Sequence, residues 1–552
     1  MIHLPRVFSD LCPVLLELSR PPPTSTKKPF KFQTMWIHHP KFPKVVRRAW
    51  ESESNLHLAI KNFVDRAKVR NRDVFGNIFG RKKRVLARLN GAQKALSNSP
   101  NHFLIQLEKS LIEEYNLIMQ QEDEYWALKS RLSWAAYGDA NTSYFHVSTL
   151  VRRHRNKIRS LKNSVEEWIT NEEDIKNLIL LGFQEIFQTD LVEAPHESEV
   201  QSFSCCFLSE EERALLAAPF LEEEIRQGLW SLKAFKAPGP DGLHAGFFQY
   251  FWADVKQVVC KEVSNILDLI MIPEFLNETL ISLIPKCPNP KSLNIFRPIS
   301  LCNSIYKVVT KIIVGRLRTF LDKLVSPNQI AFMSGRRGLD NVVVAQELIH
   351  FLDKKKGKVG FMAIKVDIVK AYDHLEWSFI RNVLNAFRFP VELIKLIMSC
   401  VSSTTISILF NGGKLSSFKP TRGIRQGDPL SSYLFILCME YLGFLINESY
   451  RKKEWTPLKA SKKNLGISHL FFADDLMLFA KANKASAKSI KKVLSQFCKE
   501  SGQLVSAEKS RVYFSPYVLL SVREDICEVL DIYETSCIGK YLGFPLNHRG
   551  TA

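Results

Sequence analysis

Three aspartates in the second half of the chain lie where carboxylates could hold divalent metal ions. Asp474 and Asp475 stand between two short apolar runs, His469–Phe472 and residues 476–479. These runs are too short for helices and rich in Phe and Leu, so the pattern predicts two strands of a hairpin, with the acid pair as its two-residue connection. Asp367 comes at the end of another apolar run. The spacing therefore predicts three acids at two strand ends.

Paired divalent ions are used in phosphoryl and nucleotidyl transfer. Two ions about 3.5 to 4 Å apart contact the attacking and leaving oxygens. Mg²⁺ is held by one or two carboxylates plus substrate phosphates, and a bound ion offsets the cost of desolvating unpaired acids. Asp also tolerates the left-handed backbone of tight turns. The residues alone therefore leave a metal site and a solvated turn both open.

Four motifs resemble a known family in sequence and in order. They are residues 296–303 (FRPISLCN), 367–373 (DIVKAYD), 422–430 (RGIRQGDPL) and 472–475 (FADD). Together they resemble the reverse transcriptase of plant long-interspersed (non-LTR) retrotransposons, from about Lys233 to the end. The resemblance implies an RNA-directed DNA polymerase with two Mg²⁺ ions. Its partners would be an RNA template, a DNA primer or nicked target DNA, dNTP, and an endonuclease supplied in trans.

The resemblance assigns metal and triphosphate ligands. It implies that Asp367, Asp474, Asp475 and the backbone carbonyl of Ile368 hold the ions. Lys286 and Arg297, at facing ends of two predicted strands, would bind the nucleotide triphosphate, Lys as a point charge and Arg as a fork. The alternative is a pair of surface charges beside a hairpin.

The resemblance also assigns residues around the nucleotide. Tyr372 would exclude a ribonucleotide's 2′-hydroxyl, or else be a core tyrosine on a helix that starts there. Gln426 and Gly427 would lie beside the nucleotide, since glycine permits close approach to the backbone. Lys509 would protonate the leaving pyrophosphate, or else be a solvated lysine. Asp428, followed by proline, predicts a helix start.

Charge divides the chain into regions. Lys and Arg number 76 against 56 Asp and Glu, a net charge of +20, which suits a phosphate backbone. Residues 1–160 hold 28 basic and 13 acidic side chains, whereas 166–224 hold 2 and 16. The basic, aromatic stretch 29–50 could contact nucleic acid or pack on a neighbouring domain. The dense basic run 151–159 could be a solvated helix face or an RNA-binding surface, and the basic excess of residues 1–160 favours RNA binding.

The predicted fold class is α+β: the fingers and palm of a right-hand polymerase, with an antiparallel palm sheet backed by helices, preceded by a mostly helical basic arm. Charge and periodicity predict a basic helical linker (21–165) and an acidic connector (166–232), and the resemblance implies an endonuclease remnant (1–20), fingers (233–355) and a palm without a thumb (356–552). Residues 1–20 resemble the last strand of the endonuclease domain that precedes the polymerase in these elements. That domain ends with a Ser-Asp-His signature, and Leu11 stands in place of the histidine, so endonuclease activity is not expected. The alternative function is a catalytically inactive, nucleic-acid-binding remnant of a decayed element.

Cysteine usage and hydropathy bear on the compartment. The eleven cysteines are scattered and lack zinc-site spacing, which indicates reduced thiols. No run of 18 apolar residues and no signal-peptide pattern is present. We therefore expect an intracellular protein of the nucleus or cytoplasm, neither secreted nor in a membrane.

Overall fold

The computed structural model describes residues 29–51, 53–99, 101–130, 142–189, 206–355, 360–459 and 466–546, and the backbone of two short N-terminal strands. Most of the predicted endonuclease remnant, including Leu11, lies outside the described residues. The described part is a mixture of helices and mixed sheets, as the predicted α+β class requires. Within it, no helix is long and apolar enough to cross a bilayer.

The helices are numbered in chain order. They are α1 Phe42–Trp50, α2 Leu56–Arg70, α3 Ile78–Asn98, α4 His102–Ser130, α5 Thr142–Asn156, α6 Glu172–Ile186, α7 Glu210–Leu216, α8 Glu222–Trp230, α9 Ala245–Tyr250, α10 Trp252–Leu269, α11 Glu274–Asn277, α12 Ser304–Leu324, α13 Gly338–Lys354, α14 Trp377–Ala386, α15 Val391–Ser402, α16 Ser431–Arg451, α17 Lys484–Ser501 and α18 Leu520–Leu530. A π-helical turn, Asn71–Phe75, joins α2 to α3.

The strands are numbered likewise. They are β1 Ile2–His3, β2 Val14–Leu15, β3 Leu161–Lys162, β4 Trp168–Ile169, β5 Glu278–Pro285, β6 Phe296–Cys302, β7 Phe361–Val366, β8 Thr405–Phe410, β9 Gly413–Phe418, β10 His469–Phe472, β11 Asp475–Lys481, β12 Arg511–Phe514, β13 Tyr533–Glu534, β14 Lys540–Tyr541 and β15 Phe544–Pro545. The strands β1–β2, β3–β4 and β14–β15 form two-stranded pairs.

A five-stranded sheet in the order β10-β11-β7-β12-β13 carries two of the predicted acids at one end. All neighbouring strands are antiparallel except β12 and β13. Its central strand β7 is buried on both faces, which explains its continuous apolar run. Met362 and Ile364 pack into the main core that includes α16, whereas Ala363 packs into a second core under α13. Helices on both faces thus fix the sheet.

A four-stranded sheet in the order β6-β5-β8-β9 carries the predicted cations. Strands β5 and β6 are antiparallel, with Ile284 opposite Arg297. Strand β8 runs parallel to β5, although β8 and β9 follow β7 in the chain. The sheet therefore joins segments from both sides of the predicted boundary at residue 355.

The apolar side of the basic stretch 29–50 packs on the helices around α9 and α10. Phe32 donates its N–H to the Gly242 carbonyl at 3.0 Å, and its ring lies 5.2 Å from that of Phe247. Gly242 has φ +75°, and a Cβ there would lie 2.2 Å from the Phe30 carbonyl oxygen. Packing on a neighbouring unit, one of the two interpretations left open, is therefore correct for this side of the stretch.

Two local predictions are wrong by one or two residues. Strand β11 begins at Asp475, which pairs with Phe472, so the hairpin connection is Ala473 and Asp474. Helix α16 begins at Ser431 and not after Asp428. The Asp428 carboxylate accepts the Leu430 N–H at 3.1 Å, but its other oxygen bonds to core side chains. Its role is therefore more than that of a helix cap.

Candidate active site

The end of the five-stranded sheet brings two of the predicted acids face to face. Leu476 lies opposite Val366 in the register of β11 and β7. Extending that register by one residue sets Asp475 opposite Asp367, on one face of the sheet. Asp474 lies next to Asp475 in the connection of the hairpin. Three acidic residues from two segments about 110 residues apart in the chain therefore lie at this end of the sheet.

The hairpin connection is held by a buried glutamine. Ala473 has φ +53°, a conformation that costs an alanine roughly 1 to 2 kcal/mol. Its N–H donates to the side-chain carbonyl oxygen of Gln329 at 3.2 Å, and the same oxygen accepts the Ala331 N–H at 3.0 Å. Gln329 is fully buried. It therefore fixes the backbone immediately before Asp474.

Electrostatics at this end disfavour two negative charges side by side. Both Asp474 and Asp475 reach solvent, yet protein surrounds them enough for desolvation to raise the pKa of each. The charge of Asp367 raises the pKa of both further, and Asp474 raises that of Asp475. Nearby Lys286 and Arg297 oppose the shift for Asp474. A bound cation would relieve this repulsion.

The predicted cations approach from the four-stranded sheet. Lys286 directly follows β5, and its pKa is lowered, first by desolvation and then by the positive charges of Lys509 and Arg297. The negative charges of Asp373 and Asp367 oppose that change. A group of mutually repelling cations beside a group of acids is the arrangement expected of a site that binds a polyanionic ligand. The structure thus brings Lys286 and Arg297 to the three aspartates.

The loop between α17 and β12 runs alongside Asp367. Its Ser506 donates a backbone N–H to the Asp367 carbonyl at 2.9 Å, and Ser510 Oγ accepts the Asp367 N–H at 3.1 Å. Ser506 Oγ also accepts the N–H of Lys509 at 3.3 Å. These bonds leave Lys509 Nζ 4.0 Å from Asp367 Oδ1. Lys509 therefore belongs to the cluster.

The backbone of Ile368 faces the acid pair. Ile368 forms an antiparallel bridge with Val505, whose two hydrogen bonds use the Asp367 carbonyl and the Val369 N–H. In such a bridge the opposed residues turn their own N–H and C=O to the other side. That side carries β11, so the Ile368 carbonyl points toward the hairpin with Asp474.

Tyr372 lies in a turn before α14 and not on a helix. Its ring stacks on Phe435 with centroids 4.8 Å apart. Burial raises the pKa of its hydroxyl to about 12, and the nearby charge of Asp474 adds to the shift. The hydroxyl also bonds to Ser432. Tyr372 is thus packed on the core along its ring while its hydroxyl faces the site.

Gln426 and Gly427 contact both β6 and the turn that follows β7. The Gln426 carbonyl accepts the Ser300 N–H at 2.8 Å, and its side-chain amide donates to Asp373 Oδ1 at 3.2 Å. Gly427 has φ +119°, and a Cβ there would lie 2.9 Å from the Ser300 carbonyl oxygen. The glycine is therefore required by the close approach of β6.

Asp373 is a buried acid that the sequence did not single out. Burial raises its pKa to about 7, against the charge of Lys370 and the bond from Gln426. Lys370 has its own pKa lowered to about 8, first by burial. Asp373 orients the Gln426 amide, so it acts on the site through Gln426.

Sequence reasoning missed the residues that orient the site from a distance. They are Gln329, Asp373 and Ser510. Only Asp373 stands inside a recognised motif. Gln329 is 144 residues from Ala473 in sequence, and no local pattern marks such a pairing.

The donor set suits a divalent ion that arrives with a substrate. Among the described residues, no three Asp, Glu, His or Cys side chains are gathered into a ready metal-binding group. Mg²⁺ commonly takes only one or two carboxylates and completes its shell with phosphates and water. Adjacent carboxylates with raised pKa values and a facing carbonyl meet that requirement.

Comparison with known families decides the class of this region. Residues 284–546 match the family described as reverse transcriptase (RNA-dependent DNA polymerase). This segment is a reverse transcriptase domain. The domain is that of an RNA-directed DNA polymerase, a nucleotidyltransferase, and the family predicted from the four motifs is confirmed for it.

Relatives of the reverse transcriptase domain belong to transposable elements. The chain is 25% identical over 485 residues to the transposon TX1 uncharacterized 149 kDa protein of Xenopus laevis, covering 86% of this chain and 36% of that protein. It is 26% identical over 292 residues to the Pol polyprotein from the type-2 retrotransposable element R2DM of Drosophila melanogaster, covering 52% and 26%. The chain thus spans only about a third or a quarter of these relatives.

A plant sequence also matches. The uncharacterized mitochondrial protein AtMg01250 of Arabidopsis thaliana is 43% identical over 67 residues, which is 12% of this chain and 55% of that protein. The relatives come from animals and a plant, so a plant origin of this chain stays a prediction.

Proposed function

We propose that this chain is the RNA-directed DNA polymerase of a non-LTR retrotransposon. In this proposal it transfers a nucleotide from a dNTP to the 3′-hydroxyl of a DNA primer or nicked target DNA, on an RNA template. The convergence of Asp367, Asp474 and Asp475 with Lys286 and Arg297 carries the proposal. An endonuclease supplied in trans would provide the nick.

We assign the parts of a right-hand polymerase to the two sheets. The five-stranded sheet would be the palm, within residues 356–552. The four-stranded sheet would be the fingers, within 233–355, with β8 and β9 added because β8 pairs with β5. Residues 21–165 would be the basic linker and 166–232 the acidic connector. The cleft between the sheets would hold the template, the primer end and the dNTP.

Asp367, Asp474, Asp475 and the Ile368 carbonyl would hold two Mg²⁺ ions. When bound, these ions would activate the primer hydroxyl and stabilise charge on the leaving pyrophosphate. Lys286 and Arg297 would bind the triphosphate, since both face the acids from β5 and β6. Gln426, oriented by Asp373, would present its side-chain carbonyl oxygen to the nucleotide.

The chemical step joins the primer O3′ to the α-phosphorus and breaks the bond from the α-phosphorus to the oxygen shared with the β-phosphate, while the proton of the 3′-hydroxyl passes to solvent water. Lys509, 4.0 Å from Asp367, would donate a proton to the departing pyrophosphate as general acid. Tyr372 would exclude the 2′-hydroxyl of ribonucleotides, because its hydroxyl faces Asp474.

The test is primer extension on an RNA template with dNTP and Mg²⁺. The wild-type chain should incorporate deoxynucleotides, and Asp474→Asn should lose at least about a thousandfold in rate, on the scale of losing one electrostatic catalytic group. Asp525→Asn, an exposed acid of α18, is the matched control and should retain wild-type rate. Salt-dependent RNA binding without incorporation by the wild-type chain would instead indicate the inactive remnant.

A further inference from the structure

A cleft in the helical arm lies apart from the two sheets. It is formed by the stretch before α1, the π-helical turn and the antiparallel pair α3 and α4, and its volume is about 770 Å³. That volume lies within the range of ligand sites, about 300 to 1,000 Å³. The polymerase chemistry proposed above uses none of its residues.

Aromatic rings line this cleft. They come from three segments: Phe30, Trp36, Phe79 and Tyr125. Phe79 is 39% exposed although it is large and apolar. Its ring lies 5.9 Å from that of Tyr125, nearly at right angles. Exposed and half-buried rings that converge on one space offer faces on which planar groups can stack.

The charged side chains that line the cleft are all cationic. They are Lys31, Lys68, Arg72 and Lys129, and no Asp or Glu is among the lining residues. Lys129 lies over the Tyr125 ring, with its ammonium 3.3 Å from the centroid. Lys68 and Arg72 are exposed and pair only loosely with exposed acids, Asp65 at 3.4 Å and Asp73 at 3.1 Å. Such exposed pairs are weak and give way to a stronger anion.

Amide groups add hydrogen-bonding capacity. Gln33, Asn71 and Asn77 line the cleft beside the rings. The Gln33 side-chain carbonyl oxygen is buried without a hydrogen-bond partner among the described residues. Amides can bond to the edges of bases, while cations bond to phosphates and rings stack on base faces.

We propose that this cleft binds a segment of single-stranded nucleic acid, as a second site separate from the polymerase centre. Bases would stack on Phe79 and Tyr125, and phosphates would contact Lys68 and Arg72. A double helix hides its base faces and would not fit this arrangement. The cleft would therefore hold an unpaired stretch of a strand and not the duplex at the primer end.

Equilibrium binding of fluorescent 12-nucleotide oligouridylate and oligothymidylate to the full chain tests this site, without dNTP or Mg²⁺. The double variant Lys68→Glu/Arg72→Glu should weaken binding at least about tenfold and reduce the salt dependence by about two phosphate contacts. Lys488→Glu/Lys492→Glu makes the same charge change at two exposed positions of α17, neither of which lines the cleft, and should stay within about twofold of wild type.

A variant of a stacking residue separates the contribution of base stacking from that of phosphate contacts. Phe79→Ala should weaken binding about tenfold, on the scale of one lost stacked base, and Phe79→Trp should retain it. Tighter binding of the uridylate than of the thymidylate would identify RNA as the ligand, and equal binding would mean either strand serves. Equal weakening by both charge variants, or unchanged binding in Phe79→Ala with the cleft charge pair intact, would overturn the proposal.

The outcome is independent of the polymerase assignment. Primer extension on a template with an overhang of a few nucleotides should proceed at wild-type rate in Lys68→Glu/Arg72→Glu, because so short a strand needs only the polymerase centre. A loss of extension equal to the loss of binding would place these cations in the polymerase centre and contradict a second site.

Discussion

Two groups of charged residues, both within recognised motifs, behave in opposite ways. Arg425 and Asp428, from the motif RGIRQGDPL, lie fully inside the protein with their charged groups 3.3 Å apart. Arg425 donates to Asn277 Oδ1 at 2.6 Å and to the Cys400 carbonyl at 2.8 Å. Tyr306 donates to Asp428 Oδ2 at 2.7 Å. The network joins α11, α12 and α15 to the loop before α16.

The aspartates at the sheet end have the same chemistry and the opposite surroundings. They reach solvent, and burial together with the charge of Asp367 raises the pKa of Asp474 and Asp475, while the cations opposite come from the other sheet. A buried charged residue whose hydrogen bonds are satisfied holds chain segments together. Like charges placed side by side at a surface repel one another and favour binding of an oppositely charged ligand. Belonging to a motif does not decide whether a charged residue stabilises the core or serves the site. Variants of both groups test this difference.

The largest expected effect is on the buried network. Arg425→Met leaves Asp428 buried without its cation, and breaking such a pair costs about 3 to 5 kcal/mol. Denaturant unfolding should show this loss relative to wild type. Lys395→Met, at an exposed pair on α15, should change the unfolding free energy by less than about 1 kcal/mol. Equal stability of Arg425→Met and wild type would remove the structural role.

Gln329→Ala should impair the site while sparing most of the fold. It frees the Ala473 N–H, so Asp474 loses its fixed position, and displacement of about 1 Å can cost about a hundredfold in rate. We expect kcat for primer extension to fall about 10- to 100-fold with KM for dNTP nearly unchanged.

Two further variants check this positioning role. Gln329→Glu keeps the acceptor oxygen and should recover part of the rate. Gln496→Ala, an exposed glutamine of α17, is the control. A rise in KM with kcat intact would mean that Gln329 affects substrate binding and not the position of Asp474.

Glu440 shows whether a raised pKa alone marks a functional acid. Burial raises its pKa to about 7, although it accepts a bond from Ser326. The folded protein thus holds the Glu440 proton more tightly than the unfolded chain, so stability falls as pH rises from about 4.5 to 7. Over this pH range, the unfolding free energy of Glu440→Gln should fall by about 1 to 3 kcal/mol less than that of the wild type. A parallel pH profile of unfolding free energy in variant and wild type would disprove the shift.

Tyr372→Val distinguishes a sugar gate from a core tyrosine. If the side chain excludes the 2′-hydroxyl, the ratio of dNTP to rNTP incorporation should fall about tenfold or more, since the clash with the ribonucleotide is removed. If the ring serves only to pack on Phe435, the cavity should cost about 2 to 5 kcal/mol of stability and lower both activities alike. An unchanged ratio at equal folded concentration would exclude the gate.

The sequence predicts the site better than it predicts what orients the site. Asp367, Asp474 and Lys286 follow from strand patterns and motif order, because short apolar runs end where the chain must turn. The positive φ of Ala473 could not be foreseen, since alanine carries no preference for that conformation. Its partner Gln329 is supplied by tertiary packing.

The helix start at Asp428 was predicted wrongly for a related reason. Asp and Pro form a strong local start signal, yet Arg425 and Tyr306 compete for the same carboxylate inside the core. Capping of a helix by Asp stabilises it by about 1 kcal/mol, which is less than the cost of leaving a buried charge without its partner. Similarly, the sequence could not show which side of stretch 29–50 packs on its neighbour. That packing depends on where Phe247 lies in the fold, which no periodicity reveals.

The most direct measurement compares Asp474→Asn with Asp428→Asn, each for dNTP incorporation per folded molecule on an RNA template and for thermal unfolding. Asp474→Asn should lose nearly all incorporation while its Tm stays equal or rises, because Asn removes a charge that Asp367 and Asp475 repel. Asp428→Asn should lower Tm by several degrees and keep most of its incorporation per folded molecule. Wild-type incorporation by Asp474→Asn would contradict the assignment of the sheet end as the catalytic centre.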